Sequence, residues 1–521
     1  MLTRRQILAG TGAGLALGAA QSARLVSARG ILDASALDTI IGRALAAAKK
    51  AGASYADIRI HRVRNETVST REDHITGINY DESYGLGVRA LFRGAWGFAA
   101  SSAVEAKEAV RVAHRAVQMA RANARIPSDG VKLAPVESHV DVWQTALSTD
   151  PFEVSPEEKA EFLLSINRQV LGVKGISFVT SRVESAHEWK VFASTEGTRV
   201  EQNQTRMNPG YTATAIDSKK GEFASRDHEI QPYQGGWEYV VKSTMLADAR
   251  LIGEQAVEKL KAPSVQPGPK DLVLLPSNLW LTLHESVGHP TELDRAMGYE
   301  ANYAGTSFAT VDKLGKLRYG SPLIDMYADK TTPGGLATCG YDDDGVKTQR
   351  WDIIKEGLFV GYQTTRDQAH WIGEERSRGC CYAQNYESFP FQRMPNLSLA
   401  PNPDPKIRTQ DLVAATDDGV LVTGRGSWSI DHQRYNFQFG GQMFYEIKNG
   451  RVTRALNDVA YQSNSVEFWN ACDMLGGEKT WRLGGSFHDG KGEPSQSNAV
   501  SHGCPSARFR GINVLNTKTK V

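Results

Sequence analysis

Three prolines and a glycine fall within the eight residues from Ala262 to Pro269, and neither a helix nor a sheet can run through that stretch. The chain must therefore fold in separate blocks on either side of it. With 521 residues in all, each block is long enough to bury a core. Upstream, helix and strand patterns alternate. Leu37, Ile40, Ile41, Ala44, Leu45 and Ala48 share one helical face that stops near Gly52. Ala56, Ile58 and Ile60 then alternate with Asp57, Arg59 and His61, and Val88, Ala90 and Phe92 alternate again before a turn at Arg93-Gly94. Ser102-Ala103-Val104-Glu105 reads as a capping box opening a helix to about Arg121. Pro127, Pro135 and Pro151 interrupt a linker over 126–154. Ser155-Pro156-Glu157-Glu158 combines an N-cap, a first-turn proline and a glutamate at the third helical position. A further helix is expected near Leu246 to Leu260.

Downstream of the break, strands and turns dominate. Asn449-Gly450 between Met443–Lys448 and Arg451–Arg454 is a strong two-residue hairpin signal, and Glu356-Gly357 separates another strand pair. The expected class is α+β: an N-terminal α/β portion followed by a C-terminal domain rich in antiparallel strands. The expected segments are 1–30 as a signal, 33–145 as an N-terminal α+β domain, 146–265 as a middle α/β domain, and 270–521 as the strand-rich domain. Thr3-Arg4-Arg5-Gln6-Ile7-Leu8, followed by a glycine- and alanine-rich apolar run from Ala9 to Ala20, reads as a twin-arginine export signal. That places the mature chain in the periplasm or outside the cell, with no stable insertion in the membrane because the run is too short to span one. The 60 basic residues nearly cancel the 59 acidic ones, so nothing points to a nucleic-acid partner. The five cysteines include no Cys-x-x-Cys pair, which argues against a zinc ribbon and a disulfide framework alike.

The chemistry concentrates at His284-Glu285-Ser286-Val287-Gly288-His289. Two nearby imidazoles can chelate a zinc ion, and the carboxylate beside them can take a proton from water activated there. The spacing is unusual. On an α-helix, residues four apart lie about 40° out of line, but residues five apart lie roughly 140° out of line. His284 and His289 can meet only if the helix ends or distorts, and Gly288 and Pro290 suggest that this happens at Gly288.

From about residue 50 to 515 the chain resembles the TldD/PmbA family of metallopeptidases. The resemblance rests on Tyr55-Ala56-Asp57, Tyr84-Gly85-Leu86-Gly87-Val88-Arg89-Ala90, the His284–His289 motif, Asp343-Asp344-Gly345, Arg393-Met394-Pro395-Asn396, Tyr435-Asn436-Phe437 and the hairpin at Asn449-Gly450. It implies a zinc peptidase of the catalytic, TldD-like type, cleaving short or unfolded peptides inside an enclosed dimer, either with itself or with a related subunit. It implies metal ligation by His284 and His289, with Glu285 as general base. The family's third ligand is commonly a cysteine just before a Gly-Lys segment. Here that region reads Phe487-His488-Asp489-Gly490-Lys491, so His488 is the expected third ligand and Asp489 the alternative. Cys504 lies well past that position and is expected to be a buried structural residue. Two other readings remain open at this stage: a non-catalytic partner subunit, and a zinc amidohydrolase acting on a non-peptide amide.

Overall fold

The structure is a computed structural model that describes residues 32–518. The arginine pair and apolar run read as an export signal lie outside the described residues. The compact body starts at Thr39, within the helix Ala34–Lys50.

Tyr55–Arg71 and His74–Phe92 form a long antiparallel hairpin, and Ile176–Ser194 pairs antiparallel with the first of them from Asp57↔Ser194 to Arg71↔Thr180. Strands from 33–145 and 146–265 therefore share one eight-stranded sheet. Its order runs Ala95–Ser101, His74–Phe92, Tyr55–Arg71, Ile176–Ser194, Arg199–Asp217 and Val140–Gln144, with two short strands added on Arg199–Asp217. The last of these, Val140–Gln144, joins in parallel from within the linker.

The helix after Ala95–Ser101 starts at Ala106, later than the Ser102–Glu105 pattern suggests. Glu105 is its N-cap and makes no side-chain capping bond. The cap at Ser155 forms as expected, its hydroxyl accepting from the Glu158 N–H. Helices Pro156–Leu171 and Ala249–Lys261 bury Leu163, Ile166, Val170, Ile252 and Ala256 against Val179, Val183 and Ala213 of the sheet. Helix Ala106–Asn123 packs so closely on its strand that a Cβ at Gly97 would stand 2.1 Å from the Ala116 carbonyl oxygen.

The sheet grips the C-terminal block through buried charges. The Arg89 guanidinium bridges Asp57 at 2.8 Å and Asp344 at 2.6 Å, while the Lys190 ammonium meets Asp343 at 2.9 Å and Glu188 at 2.8 Å. Gln202 and Gln204 donate to the Tyr341 and Thr338 carbonyls. Because each charge is desolvated, removing one partner strands the other, at a cost of roughly 3–5 kcal/mol.

Beyond the proline break the strands close on themselves. Asp418–Ile430 pairs with Gly268–Leu274, which pairs with Ala507–Asn516, then Val459–Asn464, then Asn436–Lys448, and this last strand returns to Asp418–Ile430. Closing the sheet into a ring leaves no free edge among these strands. Asn449 and Gly450 both take positive φ, 50° and 75°, as a two-residue hairpin turn requires. Helix Pro276–Leu283 leaves the end of Gly268–Leu274 and is buried from Asn278 onward. Leu279, Leu283 and Val287 share a core with Phe437, Phe439, Tyr461, Phe468 and Phe509. The Asn278 amide fastens the helix to the ring by donating to the Gly424 and Gly440 carbonyls, each at 2.9 Å. No helix among the described residues is long and apolar enough to cross a membrane.

Candidate metal centre

The helix that enters the C-terminal core changes pitch at the histidine motif. Pro276–Leu283 is α-helical, His284–Gly288 is a π-turn, and His289–Thr291 tightens to a 3₁₀ turn. The His289 N–H bonds to the His284 carbonyl, an i→i+5 contact that stacks residues which an α-helix would separate. The two rings lie with centroids 4.6 Å apart. The distortion thus begins at His284, ahead of the expected position. Gly288 itself has helical angles, φ −55° and ψ −63°, so it is needed for space rather than for backbone freedom: a Cβ there would stand 2.6 Å from the Met394 sulfur. Side chains satisfy the carbonyls that the change of pitch releases. Thr291 Oγ1 donates to Val287, Gln363 Nε2 to Gly288 and the Tyr319 hydroxyl to Ser286.

A two-stranded hairpin, Arg482–Lys491 with Gln496–Cys504, supplies the third group. Its register slips between Ser486 and Asp489, so Phe487 and His488 form a bulge. Asp489 Oδ1 lies 3.4 Å from His284 Nε2 and 3.6 Å from His289 Nε2. Among the described residues these three side chains are the cluster able to hold a metal ion, with ligand atoms all within 4.8 Å of one another. The expectation of His488 is corrected here. Its side chain is 68% exposed and stands 3.5 Å from Glu184. The bulge turns His488 out to solvent, while Asp489, the next residue, is 6% exposed and faces the histidines. Arg393 settles the inward face for Asp489, donating to both its backbone carbonyl and its carboxylate.

Hydrogen bonds hold each imidazole in the form a metal requires. His502 Nδ1 lies 3.0 Å from the Leu397 carbonyl, an acceptor only, so this nitrogen carries the hydrogen. His502 Nε2 then accepts from His284 Nδ1 at 2.7 Å, which leaves the lone pair on His284 Nε2. His289 Nδ1 donates to Glu292 Oε2 at 3.0 Å, which frees its Nε2 likewise. Lys491 and Arg295 in turn pair with Glu292. Two neutral imidazole nitrogens and one carboxylate match the donor sets of catalytic zinc sites, and their Nε2 atoms already converge.

Glu285 is 5% exposed and pairs with the guanidinium of Arg434. Arg434 sits in the turn between Asp418–Ile430 and Asn436–Lys448 with φ 62°, rare for a residue with a side chain.

Three models of one family match consecutive stretches: the PmbA/TldA metallopeptidase domain 1 over residues 56–123, the central domain over 149–262 and the C-terminal domain over 268–516. The chain belongs to the PmbA/TldA metallopeptidase family. It is 24% identical over 441 residues to a metalloprotease of Methanocaldococcus jannaschii, covering 84% of this chain and 93% of that one. A protein of Saccharolobus solfataricus named as a zinc metalloprotease TldD homolog is 23% identical over 476 residues, covering 90% and 98%. The crystal structure of TldE from Thermococcus kodakarensis superposes with a TM-score of 0.69 at 16% identity, covering 91% and 99%, a likeness of fold.

In this PmbA/TldA chain the electrostatics around the three groups are matched. Burial opposes charge on His284, but the carboxylates of Asp489 and Glu285 together outweigh it and raise the pKa. Burial, helped by the charge of Arg434, pushes His289 down to about 4. Burial also opposes ionisation of Asp489, yet the two imidazoles and Arg393 hold its carboxyl well below the usual range. His502 is kept neutral by burial and by the neighbouring His284, which suits an acceptor. All five cysteines are buried and free, and the Cys504 thiol faces the Pro276 carbonyl rather than the histidines.

Sequence reasoning left out Glu292, Arg393, Lys491 and Arg434 as members of the site. Glu292 follows His289 by three residues, a spacing that offers a local signal; the others reach the centre only through the fold. His502→Ala is expected to weaken metal affinity by about 10- to 100-fold without unfolding the protein, because it frees the tautomer of His284. A competition titration against a colorimetric chelator measures this, and unchanged affinity would remove His502 from the centre.

Proposed function

We propose that this chain is an exported zinc peptidase. The observation that carries the reading is the convergence of His284 Nε2 and His289 Nε2 on the Asp489 carboxylate, next to Glu285. A zinc ion held by these three residues would supply a Lewis acid and lower the pKa of water at an open position toward neutrality. The donor set supports zinc, as does the name of the Saccharolobus solfataricus relative.

Glu285 is the general base. It takes a proton from the attacking water and passes it to the leaving amine nitrogen. Glu292 and His502 keep both imidazoles oriented, and Arg393 holds Asp489 against them. The metal-binding side chains are at most 6% exposed, which favours an extended, short or unfolded peptide over a folded protein as substrate. The protein works as a dimer, with a second copy or with a related subunit; the fold it shares with TldE supports the latter. Export rests on Arg4-Arg5 and the apolar run behind them.

The test combines elemental analysis, a library of short unstructured peptides, and cell fractionation of the source organism. About one zinc per chain is expected, with cleavage lost on dialysis against a chelator and restored by zinc. Most of the chain is expected outside the cytoplasm. A zinc-loaded protein that leaves every peptide intact would sink the peptidase reading, and a purely cytoplasmic chain the export reading.

A further inference from the structure

We propose that Arg434 is a catalytic residue of this centre, the donor that meets negative charge on the scissile carbonyl oxygen during hydrolysis. The inference rests on the peptidase reading above and deepens it.

The turn that carries Arg434 is built to hold it in one place. The Arg434 N–H bonds to the Asp431 carbonyl at 2.9 Å. The Asp431 carboxylate then accepts from the Tyr435 N–H at 2.8 Å and the Asn436 N–H at 3.0 Å. Ser465 Oγ donates to the Arg434 carbonyl at 2.8 Å. These bonds keep the residue at φ 62°, a conformation that costs an ordinary side chain about 1 kcal/mol or more. A surface arginine has no need of such a fixture.

The side chain it aims is poorly satisfied for so buried a group. The side chain is 13% exposed, and NH1 is taken by Glu285. Its buried Nε–H has no partner. Arg434 is therefore a cation with one unsatisfied N–H, held against the general base. Its charge is the second cause, after burial, of the depressed pKa of His289. Salt bridging alone explains neither the spare donor nor the strained backbone.

The chemistry needs such a donor. As water attacks the carbonyl carbon, Glu285 takes a proton and the carbonyl electron pair moves onto its oxygen. A guanidinium N–H donated there is worth more in the transition state than in the ground state, because the charge exists only then. When the pair returns, the C–N bond breaks and the amine leaves with the proton from Glu285, giving a carboxylic acid and an amine. The same contact restrains Glu285 until substrate arrives.

The experiment compares wild type, Arg434→Ala, Arg434→Lys and Glu285→Gln, each with zinc content and thermal unfolding measured. Arg434→Ala is expected to keep its zinc and lose about 100- to 1000-fold in kcat, with KM within about threefold. A phosphinic peptide, which mimics the tetrahedral species, should lose affinity by a similar factor. Added guanidinium ion should restore part of the rate in Arg434→Ala, a rescue that a merely structural role would not show. Arg434→Lys, which keeps the charge but not the fork, should fall between the two. The proposal is overturned if Arg434→Ala matches or exceeds wild type in kcat, if it loses its zinc, or if substrate and phosphinic peptide weaken equally. A wild type no faster than Glu285→Gln would overturn the peptidase reading instead, so the two failures are told apart.

Discussion

Asp489→Ala is expected to empty the metal centre, whereas His488→Ala leaves it loaded. The two residues are neighbours in sequence, so the contrast isolates which face of the hairpin meets the histidines. Asp489 is the anionic member of the cluster, 3.4 Å from one Nε2 and 3.6 Å from the other. Removing it leaves two neutral nitrogens against a divalent cation. Losing an outer partner of a metal ligand already costs about 10- to 100-fold in affinity, and losing the ligand itself should cost more. His488 contributes nothing comparable, since its ring is turned toward Glu184. Asp489→Cys should bind metal again, since a thiolate is a competent zinc ligand.

Acidification should act in the direction of Asp489→Ala. In the metal-free protein His284 has a raised pKa, so as pH falls through it a proton competes for the position of the metal. Metal uptake should therefore release a proton and weaken toward low pH. Elemental analysis after gel filtration, with chelator competition at several pH values, measures both effects. Metal loss in His488→Ala with retention in Asp489→Ala would refute the assignment.

Glu285→Gln should abolish most hydrolysis while leaving the metal in place. Glutamine preserves the length of the side chain, and its carbonyl can still accept from Arg434. It cannot accept a proton from water. General-base catalysis is worth about 10²–10⁴-fold, and kcat should fall by that factor while zinc content stays unchanged. The separation matters because Glu285 sits between His284 and the arginine, and a larger substitution would disturb both. Steady-state kinetics on a fluorogenic peptide tests this; a rate within about tenfold of wild type would mean that another group takes the proton.

Local chemistry was legible wherever a few adjacent residues decide the outcome. Asn449-Gly450 and Glu356-Gly357 turn the chain because both members of each pair adopt positive φ. Ser155 caps its helix because its hydroxyl reaches an N–H three residues on. Ser102–Glu105 has similar letters but forms no capping box, since the helix begins only at Ala106, with Glu105 as an N-cap that makes no side-chain bond. The sharing of one sheet by strands on both sides of the linker was out of reach, because such pairing depends on partners more than a hundred residues apart.

The same division runs through the centre. The sequence by itself determined that His284 and His289, five apart with a proline after the second, could face one ion only on a distorted helix, and that Glu285 would stand beside them. Backbone geometry over one turn is enough to require that. Tertiary structure alone brought Asp489 rather than His488 to the two histidines, because a bulge in a hairpin some two hundred residues later sets which of two neighbours points inward, and Arg393 bonds the one that does. It alone brought Arg434 to Glu285, His502 to His284 and Lys491 to Glu292, since hydrogen bonds form between groups that the closed ring and its enclosed helix place side by side, whatever their separation along the chain.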